Sequence, residues 1–273
     1  MSTILNKPII DEILYKGRLS INRREAAIKC LQCLDLTSLS STDNEEKIKK
    51  LIEDSKIKEL ESVKVAGICV YPNFLGVLNV NLLDKEIKKV VVGGYFPSGQ
   101  NPIEIKLNEI KFAIDNNAQE VDIVMNRGLF LEGNFEEVSR ETLLSKEICG
   151  DKVLKVILEI GELETYENIY KASLINLEVG ADFIKTSTGK IDKGADVYSF
   201  AVMLMAIKDY YKRTGVLKSI KAAGGISSAE QALDYYILFS HYLGEENLNS
   251  KHFRIGGSRL KNNLVEFILK ENN

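Results

Sequence analysis

Eight short Val- and Ile-rich runs, separated by polar helix-forming segments, predict an α/β protein: a closed (β/α)8 barrel with an extra helical segment at its N-terminal end. Two further observations favour closure over an open sheet. The runs recur at near-regular spacing over about 250 residues, the usual length of such a barrel. Glycine pairs follow the last two runs, at Gly224-Gly225 and Gly256-Gly257. An open doubly wound sheet puts its Gly-rich turn after the first strand instead. No linker, low-complexity tract or charge block divides the chain, so residues 1–273 read as one barrel domain.

In chain order, the segment before Leu31, including Arg23 and Lys29, is read as helical cover for the N-terminal end of the barrel. Strands are predicted at residues 31–37, 63–71, 89–96, 120–126, 153–160, 181–186, 217–222 and 253–256. Helix starts are marked between them. Thr42 and Glu45 have capping-box spacing, as do Ser227 and Glu230. Asn101 precedes a proline, Pro102, suited to a first helical turn. The stretch from His241 to Lys251 is polar and irregular and reads as a surface loop before the last strand.

Composition narrows the function. With 45% hydrophobic residues the chain can bury a sizeable core. A net charge of -3 gives no footprint of a nucleic-acid binder, so any basic site must be local. No apolar run is long enough to cross a bilayer, so no membrane role is expected. Lys7, Asp11 and Glu12 interrupt the N-terminal apolar stretch, unlike a secretion signal. Cys30 and Cys33 form a C-x-x-C that leads into a strand rather than opening a helix after one. They read, with Cys69 and Cys149, as reduced structural thiols in a cytoplasmic protein. Two histidines, His241 and His252, are fewer than a three-ligand zinc site usually draws on, and no metal is expected.

The chemistry centres on Phe183-Ile184-Lys185-Thr186-Ser187-Thr188-Gly189-Lys190. A short apolar strand ends on Lys185 and runs into a hydroxyl-rich loop. A lysine leaving a dry wall favours its neutral, nucleophilic form; the alternative is a lysine snorkelling at a strand end. Lys221 stands in a matching context, Ile220-Lys221-Ala222-Ala223-Gly224-Gly225. By strand alternation Asp122 shares a side with Val124 and Asn126, and Lys155 with Ile157 and Glu159. Charges inside buried strands are costly unless paired, so they should point inward. Asp35, Asp122, Lys155, Lys185 and Lys221 would then converge near the C-terminal mouth, where barrel active sites lie. The alternative is an ion-pair network that only holds the strands together. The glycines at 224–225 and 256–257, with Ser258, occupy the two loops that often bind phosphate; alternatively they are tight turns.

These segments resemble the deoxyribose-phosphate aldolase family, lysine-dependent class I aldolases. The resemblance spans nearly the whole chain in order: Leu34-Asp35-Leu36-Thr37, Ile68-Cys69-Val70-Tyr71-Pro72, Phe96-Pro97-Ser98-Gly99, Glu120-Val121-Asp122-Ile123-Val124 and Leu154-Lys155-Val156-Ile157-Leu158-Glu159. It continues through Lys185 to Lys190, Lys221 to Gly225, and His252-Phe253-Arg254-Ile255-Gly256-Gly257-Ser258. It implies reversible cleavage of 2-deoxy-D-ribose 5-phosphate to acetaldehyde and D-glyceraldehyde 3-phosphate, without a metal or organic cofactor. Lys185 would form the Schiff base, Lys221 would be the neighbouring cation, and Asp122 would relay protons through water. Implied substrate contacts are Asp35, Thr37, Cys69, Lys155, Thr188, Gly189, Lys190, Gly224, Gly225, Gly256, Gly257 and Ser258. Cys69 has a plainer reading as packing filler. The family also suggests a homodimer. The rival readings are a Schiff-base barrel aldolase for another sugar phosphate and a non-catalytic sugar-phosphate-binding barrel. Three features depart from the pattern. Arg259 stands where many members have a second serine, and either adds charge to the phosphate site or points away. Met125-Asn126-Arg127-Gly128 follows Val124, where members vary. The chain ends Glu271-Asn272-Asn273 without the tyrosine that in some members assists enamine protonation, leaving water or another group for that step.

Overall fold

The computed structural model describes residues 4–60 and 62–271. Eight parallel strands close into a barrel in sequence order: β1 (Leu34–Thr37), β2 (Gly67–Val70), β3 (Lys88–Gly93), β4 (Glu120–Val124), β5 (Val153–Ile157), β6 (Phe183–Lys185), β7 (Ser219–Ala223) and β8 (Phe253–Gly257). The predicted barrel is the observed one. Helices α1 (Lys7–Ser20) and α2 (Arg23–Gln32) precede it. Lys29 and Gln32 of α2 stand at the lower opening, as expected of N-terminal cover. Helix α1 instead lies on the outer ring, so close that a Cβ on Gly17 would overlap Ile237.

The ring comprises α3 (Glu45–Asp54), α4 (Leu75–Asn81), α5 (Ile103–Asp115), α6 (Arg127–Leu131), α7 (Phe135–Cys149), α8 (Tyr166–Glu178), α9 (Val197–Thr214), α10 (Ala229–Leu243) and α11 (Leu260–Lys270). Apolar outward strand residues such as Val121, Ile123, Val156 and Ile220 meet the helices in one continuous core. Inside the barrel, Cys69, Val90 and Val92 form a separate small apolar cluster. Much of the remaining interior is occupied by buried charged side chains of the strands.

Boundaries needed correction in several places. Leu31 and Gln32 complete α2, so β1 starts three residues later than expected. The pairing part of β2 is only Gly67–Val70. The α3 cap is Asn44, which accepts from the Lys47 N–H at 3.0 Å, while Thr42 accepts from the Lys47 ammonium. Pro102 itself occupies the cap position of α5, without a side-chain cap. The capping box of α10 is Ser228 with Gln231, one residue along from the expected pair. The stretch from His241 is no loop at first: His241 to Leu243 finish α10, and a 3-10 turn follows at Glu245–Asn247. Polarity misled there because Leu243 and Leu248 are buried beneath it.

Candidate active site

Five predicted charges meet inside the barrel, four of them from the adjacent strands β4 to β7 and Asp35 from β1. Asp122 pairs in register with Lys155, and Lys185 with Lys221. Asp122 Oδ2 accepts from Lys185 Nζ at 2.9 Å and from Lys221 Nζ at 2.8 Å, and its Oδ1 accepts from Lys155 Nζ at 2.9 Å. Lys221 Nζ also lies 2.6 Å from Asp35 Oδ2, close enough for an ion pair though not aligned as a hydrogen bond. Two residues that were not singled out complete the set. Arg254 donates to Asp35 Oδ1 at 2.5 Å and to Glu120 Oε1 at 2.7 Å, and Lys155 approaches Glu120 Oε2 at 2.6 Å. The signal for both was available, since each is a charge inside a buried strand, and Glu120 has the parity of Asp122.

Burial alone would push the lysines down and the carboxyls up. Lys185 follows that rule. Its pKa is lowered, chiefly by burial, with Lys221 adding to the effect and Asp122 opposing it. Lys221 does the reverse. Burial opposes its charge, yet Asp122 and Asp35 hold it well above the ordinary lysine value. Burial also opposes the charge on Asp122, but Lys155, Lys185 and Lys221 keep the carboxyl well below its usual range. Asp35 is likewise low, with Arg254 and Lys221 overcoming burial. The set thus places a poised amine beside a fixed ammonium and a fixed carboxylate.

Lys185 forms part of the wall of a cavity of about 470 Å³ at the C-terminal mouth. Thr37, Thr188, Gly189, Lys190, Gly224, Gly225, Gly256, Gly257 and Ser258 line it too, as does Arg259. Ser38, Leu39 and Ser40 were missed, having no motif of their own, and Ser227, read only as a helix cap, also lines the cavity. Lys190 is anchored to the Leu39 carbonyl. Thr186 joins the ends of β6 and β7 by exchanging two 2.9 Å bonds with Ala223. Two glycines have steric reasons. Gly224 has φ 94° and a Cβ there would sit 3.0 Å from Gly194 Cα. At Gly256 a Cβ would meet Lys221 Cε at 3.1 Å, so β8 yields room for that side chain.

The structure does not bring every predicted contact to the cavity. Asp35, Lys155 and Cys69 are fully buried and lie behind its wall. Asp35 and Lys155 belong to the ionic network, and Cys69 packs with Val90 and Val92. Among the described residues no group of three or more His, Cys, Asp or Glu is arranged to hold a metal ion. The chain end at Asn272-Asn273 lies outside the described residues.

A lysine at the mouth of a barrel, backed by a second lysine and an ionised aspartate, can do amine chemistry on a carbonyl. Comparison with known proteins supplies the family. The family model described as DeoC/LacD family aldolase matches residues 29–244. The chain belongs to this family. Within the DeoC/LacD family, the deoxyribose-phosphate aldolase of Homo sapiens is 38% identical over 246 residues, covering 85% of this chain and 77% of the human one. Among solved structures, an aldolase designated QR15 is 28% identical with a TM-score of 0.72, covering 89% of this chain and 97% of its own. The tetrameric deoxyribose phosphate aldolase of Aeropyrum pernix is 25% identical with a TM-score of 0.69, covering 93% and 95%. This DeoC/LacD member is therefore an aldolase on a (β/α)8 barrel.

Proposed function

We propose that the chain is a class I aldolase that reversibly cleaves 2-deoxy-D-ribose 5-phosphate to acetaldehyde and D-glyceraldehyde 3-phosphate through a Schiff base on Lys185. One observation carries the reading. Of the lysines bound to Asp122, Lys185 is the one that also lines the C-terminal cavity, and it is the one whose pKa falls. The neutral amine adds to the substrate aldehyde to give a carbinolamine, which loses water to become an iminium. The iminium draws electrons from the adjacent carbon–carbon bond as the 3-hydroxyl gives up its proton, releasing the phosphorylated aldehyde. The enamine left on Lys185 is protonated at carbon, and hydrolysis frees acetaldehyde and the amine. Asp122, held ionised by three lysines, moves these protons through water.

Gly224, Gly225, Gly256, Gly257 and Ser258, with Arg259 and Lys190, surround the end of the cavity suited to the 5-phosphate. The reading includes a cytoplasmic setting, supported by four buried free cysteines, and a homodimer, which light scattering would measure. The deciding experiment is a panel of phosphorylated aldehyde sugars with mass detection of products. Cleavage of 2-deoxyribose 5-phosphate at the highest kcat/KM is expected. Preference for another sugar phosphate would replace the substrate, and no turnover of any would remove the catalytic reading.

A further inference from the structure

Just beyond β5, Glu159 occupies the left-handed region, with φ 54° and ψ 62°. That conformation is unfavourable for a residue with a Cβ and persists only where its surroundings enforce it. The backbone shows what enforces it. Leu158 N–H donates to the Lys185 carbonyl at 2.9 Å, and Ile160 N–H to the Thr186 carbonyl at 3.0 Å. Two residues after β5 thus advance against one residue of the neighbouring chain. Such a bulge re-aims the side chain of its extra residue. Here it turns a carboxylate that is 1% exposed toward the loop that follows Lys185.

There Glu159 Oε2 accepts from the Thr188 hydroxyl at 2.5 Å, and Oε1 accepts from the Thr188 N–H at 3.2 Å. The same hydroxyl accepts from the Lys190 N–H at 3.0 Å. Thr188 Oγ1 is therefore already engaged as donor and as acceptor. It thereby links Glu159 to the Lys190 backbone in the cavity wall.

We propose that Glu159 is a positioning residue that fixes the Thr188–Lys190 wall, so that the phosphorylated end of the substrate is seated while its aldehyde reaches Lys185. The inference rests on the sugar-phosphate reading above. Its test has one arm that depends on that reading and one that does not. Glu159→Ala should raise the KM for 2-deoxyribose 5-phosphate by about 10- to 100-fold, up to the scale of a substrate misplaced by about 1 Å. Borohydride trapping of acetaldehyde on Lys185, a two-carbon substrate without phosphate, should keep its wild-type rate. Independently of any substrate, the Thr188 and Lys190 amides should exchange hydrogen at least about 10-fold faster, since both lose anchored acceptors. If Glu159→Ala does not fold, Glu159→Gln serves. Its amide oxygen can still accept from the Thr188 N–H, but its NH2 cannot accept from the hydroxyl, so smaller changes of the same sign are expected. Amide exchange at wild-type rates in a folded variant would overturn the proposal. So would a trapping rate that falls as far as substrate binding does. Failure of the wild-type protein to act on the phosphorylated sugar would instead count against the substrate reading, leaving the exchange arm to decide the role of Glu159.

Discussion

Lys185 and Lys221 stand side by side in register on β6 and β7, and both donate to the same oxygen, Asp122 Oδ2. Their pKa values nevertheless move in opposite directions. The difference lies in their second partners. Lys221 has Asp35 as well, 2.6 Å away, whereas Lys185 shares Asp122 with two other ammonium groups and borders the cavity. The proton is therefore held more firmly on Lys221 than on Lys185, the separation that the proposed Schiff-base chemistry requires.

Acetaldehyde with borohydride should add a two-carbon group to Lys185, and Lys185→Ala should abolish the adduct. Lys155 and Lys221 carry amines too, but both are fully buried and outside the cavity lining. Peptide mapping decides the site, and an adduct on either of them would move the nucleophile.

Replacing Asp122 by Asn keeps the shape but removes the base and the charge shared by three lysines. We expect kcat to fall by about 10²–10⁴, the range for losing an acid–base group. The barrel should still fold, with a loss of about 3–5 kcal/mol for breaking a buried ion set. Steady-state rates and urea melts measured on one preparation separate the effects; near wild-type kcat would reduce Asp122 to a strut.

Acid should reveal the same network. The Asp35 and Asp122 carboxyls titrate below their unfolded value of ~3.9, so the unfolded chain takes up more protons there. Their contribution is fully present above that value and is lost as pH falls through the lowered folded ones. Glu109, Glu141 and Glu159 are held up by burial and act in the opposite sense, stabilising the fold as they protonate at mildly acidic pH. The steep loss is thus expected only below about pH 4. Arg254→Met removes the cation shared by Asp35 and Glu120 and should cost about 3–5 kcal/mol at pH 7, with the acid loss starting at higher pH. Urea melts from pH 3 to 7 test this, and a variant as stable as wild type at pH 7 would show the two carboxylates satisfied without Arg254.

The phosphate should be a main handle. Arg259 lines the cavity at the position where a second serine was the family expectation. Arg259→Glu should raise the KM for the phosphorylated sugar by about 10-fold or more and leave acetaldehyde trapping unchanged, because remote binding energy is lost while the amine is untouched. Unphosphorylated 2-deoxyribose should be a much poorer substrate for the wild-type enzyme. Equal kcat/KM for the two sugars would show that these loops serve only as turns.

The barrel was legible because buried parallel strands carry apolar runs that few other arrangements require. The inward turn of Asp122, Lys155, Lys185 and Lys221 followed from strand parity and the cost of an unpaired buried charge. The same rule applied to Arg254 and Glu120 would have found them, so their omission was one of reading rather than of signal. Element ends were harder. At Leu31 and at His241 the local polarity suited either state, and tertiary packing decided. Glu159 was visible as a charge after β5, but its left-handed turn depends on how the ends of β5 and β6 meet, which no local pattern records.

The sharpest test of the amine-tuning arrangement is Lys221→Leu. The substitution removes a charge that opposes protonation of Lys185 and leaves Lys185 as buried as before. It also frees Asp122 from one competitor, so Asp122 should hold the Lys185 proton more firmly. Both effects raise the Lys185 pKa. With the neutral amine as the proposed nucleophile, the acidic limb of the kcat/KM–pH profile should move upward. Activity should fall steeply at neutral pH and partly recover in alkaline buffer. Asp35 would lose one of its two cations, Lys221, and keep Arg254, so a stability loss is also expected and should be followed by thermal melting. Lys221→Arg keeps the charge and should retain part of the shift, although the wider guanidinium must fit against Gly256, where Lys221 Cε already passes closely. The discriminating quantity is the shape of the profile rather than its height. A rate lowered equally at every pH would show that Lys221 does not set the Lys185 pKa, leaving burial alone to do so.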